Sequence, residues 1–405
     1  MSLGKTTHSL ALCLTVVGLV CPPGHAEGGA IAQIVQGLTD RLERVQYANG
    51  MLAGAWPGEE AYTGSIVSGL VAAYELTCDE EARVAAIAGG DFILRAASGN
   101  YYGDEAYALM CLSRISANRT KNHWRSALVA FYGNVRTRTA GGTPGYVAQF
   151  DQTELSRAVF YLAHHTMAAF YVDAPDKAIW RDALVDFLAR TGDDSTGFPV
   201  MALALATWAL ANTGPLDATP VDPDSVGDPY WRDVTLAELP DLLRDHQVVE
   251  GPLGGGFYGR FDHGNGAQGL AVAGYADDLV FGALGLLAVS VAVEVSNVDT
   301  GIVRARNALV ATIGDDGVVP QHLWYGGDTY LLYAGYALRA VAGLTAPADV
   351  DLSNSVDAFD LAALAANWQA ETCQECGPCN RADTNADGHV DEIDLQVLGD
   401  SWLVH

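Results

Sequence analysis

Between residues 27 and 345 a glycine followed within two positions by an aromatic or apolar residue returns six times: Gly54–Trp56, Gly99–Tyr101, Gly145–Tyr146, Gly197–Phe198, Gly256–Phe257 and Gly317–Val318. Each return opens a long apolar stretch. The spacing of 45 to 61 residues holds two helices and two turns. Between the returns, apolar residues recur at helical rather than strand intervals. Stretches apolar on all sides, Val200–Ala211, Val280–Val293 and Leu331–Leu344, predict buried inner helices. Ile31–Tyr47, Glu80–Ala96, Trp124–Val135 and Lys177–Arg190 carry one apolar face and predict outer helices. The chain is thus expected to be all-α and built from helical hairpins.

Six such hairpins would close into an (α/α)6 toroid. That architecture resembles six-hairpin glycosidases and several polysaccharide lyases, a likeness of arrangement without a shared motif. A five-hairpin barrel or an open solenoid stays possible, because the Pro/Asp-rich segment from Thr213 to Arg232 could disturb the count. Other toroid chemistries lack their signatures here. Ala276-Asp277-Asp278 is not the D-x-D-D of a terpene cyclase, no Cys/His ligand set is spread over the hairpins, and no Cys-Gly-Glu-Gln thioester run occurs. Gly254–Gly256 lacks the Lys-Ser/Thr of a phosphate loop, and neither a serine elbow nor His-Glu-x-x-His is present.

In a toroid the substrate cleft forms where inner-helix ends and the loops before them converge, so polar residues just after the return glycines are the candidates. They are rich in carboxylates and aromatics. The first return supplies Trp56, Glu59, Glu60 and Tyr62; the second Tyr101, Tyr102, Asp104, Glu105 and Tyr107; the third Tyr146, Gln149, Asp151 and Glu154. The fifth supplies Tyr258, Arg260, Asp262, His263 and Asp278, and the sixth His322, Trp324, Tyr325, Asp328 and Tyr330. Sugar faces stack on aromatic rings, and glycoside cleavage needs two carboxyl groups flanking one bond. Asp104 and Glu105 are the expected acid/base cluster, with Glu60, Asp262 and Asp328 as alternatives for the second carboxylate. Trp56, Tyr101, Tyr258, His263, Trp324 and Tyr325 are the expected sugar contacts. An acid at a helix start also caps free N–H groups, so each of these carboxylates has a purely structural reading.

After residue 345 the pattern changes. Asp349, Asp351, Ser353, Ser355, Asp357 and Asp360 stand at positions 1, 3, 5, 7, 9 and 12 of one loop. Asp383, Asn385, Asp387, His389, Asp391 and Asp394 repeat those positions, with Gly388 at position 6. Alternating oxygen donors at this EF-hand spacing wrap a calcium ion. A tryptophan follows position 12 by eight residues in both copies, Trp368 and Trp402.

The duplicated loop-plus-helix resembles the dockerin domain of secreted polysaccharide-degrading systems, over roughly residues 347–404. The resemblance implies two bound calcium ions and docking onto a cohesin-type partner. Three features depart from it: Ser353-Asn354 in the first loop, Ala358–Phe359 and Glu392–Ile393 after position 9, and an insert from Cys373 to Cys379. The expected domains are residues 27–345 and 346–405, separable at about Thr345–Ala348.

The chain opens like an export signal, with Lys5, an apolar run from Leu10 to Cys21, Pro22–Pro23 and small residues up to Ala26. Cleavage after Ala26 is expected, giving a secreted or surface-attached product without a membrane span. The net charge of −27 argues against nucleic acid as a partner, since no basic stripe offsets it. Of the remaining cysteines, Cys78 and Cys111 could bridge neighbouring helices or stay as two buried thiols. Cys373, Cys376 and Cys379 are expected to form a small disulfide staple.

These features point first to a secreted glycoside hydrolase with a calcium-binding docking module. A polysaccharide lyase is the second reading, with Arg260, Tyr258 and His263 acting on a uronate. A non-catalytic glycan-binding or structural surface protein is the third.

Overall fold

The computed structural model describes residues 30–116, 122–136, 147–262, 273–292, 298–314, 316–323, 326–371, 373, 381–385 and 387–402. Six helical hairpins follow one another, each an outer helix and then an inner one: α1 (Ala30–Val45) and α2 (Thr63–Thr77), α3 (Glu80–Ala97) and α4 (Gly103–Arg114), α5 (His123–Arg136) and α6 (Leu155–Tyr171). The second half continues with α7 (Lys177–Ala189) and α8 (Pro199–Thr213), α9 (Leu239–Asp245) and α10 (Ala276–Ala292), α11 (Val298–Thr312) and α12 (Leu331–Leu344). Residues 346–402 add α13 (Ala358–Ala366) and α14 (Glu392–Trp402). Strands are absent among the described residues, which hold only isolated bridges.

The inner helices form a closed ring. Helix α2 packs on α4, α4 on α6, α6 on α8, α8 on α10, α10 on α12, and α12 returns to α2. Each outer helix lies in the groove between two inner ones, α3 against α2 and α4, and α11 against α10 and α12. Sequence decides which helix goes where. Every residue of α8 from Pro199 to Leu210 is buried, so it belongs inside. Helix α1 buries one stripe, Ile31, Val35, Leu38, Thr39 and Leu42, and belongs outside. The loop from Thr213 to Arg232 does not disturb the count, because Trp231 anchors it in the core and donates from Nε1 to the Thr191 carbonyl at 2.8 Å.

The ring closes through two glycines. A Cβ added at Gly69 of α2 would stand 2.2 Å from the Gly335 carbonyl oxygen of α12, so the first and last inner helices meet backbone to backbone. Lower down, rings from five inner helices plug the barrel axis. Phe160, Phe281 and Tyr336 pack edge to face, and Tyr107 meets Trp208 with centroids 5.3 Å apart. The plug separates an open mouth at the inner-helix N-termini from a second one at their C-termini.

Residues 346–402 have their own small core of Val356, Leu364, Ala382, Val390 and Leu398, and they also pack on the barrel. Leu352 joins the barrel core, and the Ile31 amide donates to its carbonyl at 3.0 Å. The expected boundary at Thr345–Ala348 therefore precedes a segment that contacts the barrel. Among the described residues no helix is long and apolar enough to cross a membrane. The expected signal segment lies outside the described residues.

The Cys78–Cys111 bridge is corrected. Cys111 is a free, buried thiol, whereas Cys78 and Cys373 are each disulfide-bonded. Cys111 faces the packed interior of an inner helix, while Cys78 ends α2 in a left-handed conformation at φ 60°. Cys376 and Cys379 lie outside the described residues.

Candidate active site and calcium loops

A cavity of about 430 Å³ opens where the N-termini of the inner helices converge. Three carboxylates line it, Glu59 from the turn before α2, Glu154 from the start of α6 and Asp277 from the start of α10. Tyr62, Tyr161, Tyr330, Tyr333 and Tyr336 form much of the wall, with Arg157 as the cation.

The three carboxylates differ in what they already hold. Glu154 accepts the amides of Ser156 at 3.0 Å, Arg157 at 3.0 Å and Gly197 at 2.9 Å, besides the Ser156 hydroxyl. Burial would raise its pKa, but these donors together hold it below the usual range. It caps α6 and ties that helix to the start of α8. Burial pushes Glu59 up, opposed by the amides of Leu331 and Leu332. Asp277 differs: Oδ1 is buried without a partner among the described residues, and burial raises its pKa to about 7. Behind it Asp278 is fully buried, and burial followed by the Asp277 charge pushes it well above the carboxylate range, with only the Met201 amide drawing it back. Two adjacent acids in this setting titrate as a coupled pair.

The expected site residues are distributed differently. Glu105 caps its own helix, accepting the Tyr102 amide at 2.8 Å; burial and the Asp104 charge raise its pKa to about 8. Asp104 is buried beneath the cavity wall, accepts the Ser65 hydroxyl at 3.2 Å, and is raised by burial to about 6. Its charge acts on Tyr161 and Tyr336, both of which line the cavity, but neither Asp104 nor Glu105 does. Glu60 is half-buried beside Glu59 and accepts the Gly58 amide at 3.3 Å. Asp328 is exposed and accepts the hydroxyl of Tyr330 at 3.1 Å, which puts it next to the rim. Asp262 is exposed, its amide held by Asp193 at 2.7 Å, and Arg260 donates to the Asp193 carbonyl.

Two expected sugar contacts are corrected. Trp56 is fully buried with Nε1 donating to the Leu42 carbonyl at 2.8 Å, and Tyr101 is buried against Phe131 at 5.4 Å. Both rings brace outer helices against inner ones and leave no face for a ligand. Tyr258 is half-buried on a cluster of Val248, Leu253 and Ala273. His263, Trp324 and Tyr325 lie outside the described residues. Asp277 carries no signal in sequence beyond being one of two acids that open an apolar helix.

The two C-terminal loops share one hydrogen-bond scheme. Asp349 at position 1 accepts the amides of Ser353 and Asn354 at positions 5 and 6, and Asp360 at position 12 accepts those of Asp351 and Asp357. In the second loop Asp383 accepts from Asp387 and Gly388, and Asp394 from Asn385 and Asp391. Position 6 is left-handed in both, Asn354 at φ 73° and Gly388 at φ 93°, as the sharp turn requires. Carboxylate oxygens of Asp349, Asp351 and Asp360 converge within 4.8 Å of one another, a donor set that fits a hard divalent cation.

Residues 347–400 match the family described as the dockerin type I domain, and this segment is a dockerin type I domain joined to a six-hairpin α/α barrel. No curated protein matches the chain in sequence. Among solved structures, the chain is similar to the GH76A alpha-1,6-mannanase from Salegentibacter sp. HEL1_6, at 10% identity and a TM-score of 0.49, covering 78% of this chain and 100% of that one. An inactive variant of that mannanase in complex with alpha-1,6-mannotriose matches at 11% identity and a TM-score of 0.48, with the same coverage. A variant of UGL with dGlcA-Glc-Rha-Glc matches at 15% identity and a TM-score of 0.49, covering 77% of this chain and 95% of that one. At these values the likeness adds nothing to the closed ring of helices described above.

Proposed function

We propose that the protein is a secreted glycoside hydrolase whose dockerin domain holds two calcium ions and attaches it to a cohesin-type partner. The observation that carries the hydrolase reading is Asp277, a carboxyl group titrating near neutrality in a tyrosine-walled cavity with one oxygen unclaimed. A group of that kind keeps a proton on a large fraction of molecules near neutrality and can donate it to the glycosidic oxygen as the bond breaks. Glu59, from the turn before α2, supplies the second carboxylate on the same cavity. Glu154 is taken up by its cap and holds the wall. Asp104, Glu60 and Asp328 stand next to the cavity as reserve candidates.

Tyr62, Tyr161, Tyr330 and Tyr333 offer ring faces for sugar units. Arg157 on the same wall favours elimination of a uronate as the second reading, since that reaction needs a cation at the sugar carboxylate. On the dockerin domain, Phe359 and Ile393 follow position 9 of the two loops and are 71% and 52% exposed, which supports an apolar contact with the partner. Secretion rests on the export-like start of the chain.

The test is a panel of neutral glycans and polyuronates incubated with residues 27–405 in calcium. Reducing ends without ultraviolet absorbance mean hydrolysis, and both signals together mean elimination. Retention of a glycan without turnover across the panel would leave a binding protein.

A further inference from the structure

Cys78 ends α2, and Arg381 of the dockerin domain meets the barrel two residues earlier, at the Leu76 carbonyl. Cys78 is half-buried and disulfide-bonded. Its partner follows by elimination. The chain has seven cysteines, Cys13, Cys21, Cys78, Cys111, Cys373, Cys376 and Cys379. Cys111 is a free, buried thiol on α4. Cys13 and Cys21 belong to the export-like segment expected to be removed. The three that remain all stand in the insert between the two calcium loops.

Both sides of that insert are held by the dockerin domain. Cys373 packs against the small core of the domain and donates from its amide to the Gly388 carbonyl at 2.8 Å. Arg381, after the insert, donates to the carbonyls of Val350 at 3.0 Å and of Leu76 at 3.2 Å. A disulfide needs its two Cα atoms within about 7 Å of each other. Cys379 stands two residues before Arg381 and Cys78 two after Leu76, and two residues of extended chain span at most about 7 Å. The contact between Arg381 and Leu76 thus joins the two domains at the place where these cysteines stand.

We propose that Cys78 is bonded to one of the three insert cysteines, so that the dockerin domain is clamped covalently to the barrel. Whichever thiol takes part, the bond crosses between domains and closes a loop of roughly 300 residues, which takes in most of the barrel. A cross-link over so long a loop removes much of the freedom of the unfolded chain. It forms as two thiols give up two protons and two electrons to the disulfide of a thiol oxidant in the exporting compartment, which leaves as a dithiol. The clamp depends on the proposed function only through export of the chain. It sits at the C-terminal end of α2, whose 15 residues put it about 22 Å from the turn that carries Glu59 and Tyr62. The docking module is held away from the candidate cleft, and the mouth of the cleft stays open.

The exported chain is alkylated under denaturing conditions without reductant, digested with trypsin and mapped by mass spectrometry. Fragment 45–83, which holds Cys78, is expected joined to fragment 340–381, which holds Cys373, Cys376 and Cys379. Fragment 96–114 should carry an alkyl group on Cys111. Recovery of 45–83 alkylated, or joined to any other fragment or to a second copy of itself, overturns the proposal. A bond to the fragment holding Cys13 and Cys21 would show in addition that the leader is retained. The map needs no variant, so it decides the pairing whether or not Cys78→Ser folds. Thermal melts in calcium, with and without dithiothreitol, then test the clamp. The reductant should lower the Tm of the wild type more than that of Cys78→Ser, because in the variant no bond between the domains is left to open. Equal falls in the two proteins overturn the clamp.

Discussion

The side chain of Arg381 reaches out of the dockerin domain and donates from Nη1 to the main-chain carbonyl of Leu76, 3.2 Å away at the end of α2. Its Nε donates at the same time to the Val350 carbonyl at 3.0 Å, so one guanidinium ties the first calcium loop to the barrel. Removing residues 346–405 is therefore expected to lower the melting temperature of the barrel. Arg381→Met should cost about 1–3 kcal/mol, the scale of hydrogen bonds from a charged donor. A truncated barrel melting at the full-length temperature would show two independent domains.

Calcium should act on the barrel as well. The loops hold acidic groups that repel one another when empty, and binding to the folded form alone adds stability. Calorimetry is expected to find two sites, with Asp383→Ala removing the tighter and Asp349→Ala the looser. Because Leu352 of the first loop sits in the barrel core, chelation should lower the barrel transition too. Absence of calcium uptake at millimolar metal would refute the loop reading.

Asp277→Asn should lower turnover by about 10²–10⁴-fold with the fold intact. Its effect on stability has a definite sign. The folded-state pKa is about 7 against an ordinary 3.8, so the folded state holds the proton more tightly. The wild type is then fully stabilised below about pH 4 and loses that contribution as pH rises through 7. The amide variant should match the wild type in acid and melt higher above pH 7, by up to a few kcal/mol tempered by solvent in the cavity. Equal melting curves at pH 8 would show that Asp277 is solvated and ordinary.

Asp104 and Glu105 separate catalysis from capping. Glu105→Gln should cost about 0.5–2 kcal/mol of stability and little activity, because its carboxylate accepts the Tyr102 amide at the start of α4. Asp104→Asn should shift the pH profile modestly through Tyr161 and Tyr336. A loss of turnover approaching that of Asp277→Asn in either variant would return the proton donor to this pair.

The sequence by itself determined the features that depend on near neighbours in the chain. The calcium loops were legible because all ligands of each fall within twelve residues, and backbone amides of the same loop hold positions 1 and 12. Inner and outer helices were legible because an apolar stripe and an all-round apolar surface leave different residue periods. Tertiary structure decided everything that depends on how helices turn about their axes after the ring closes. Trp56 and Tyr101 follow return glycines, as a cleft aromatic would, yet they face the core. Glu105 and Asp277 both open inner helices, and as letters they are equivalent caps. Only closure shows that one carboxylate is met by an amide while the other, at a cavity, has one oxygen buried without a partner among the described residues. Arg339 likewise sits in an apolar helix, and its burial is decided by three other helices that bring two rings and a neutral histidine around it. Desolvation and the absence of a partner are properties of the assembled neighbourhood, which no local pattern encodes.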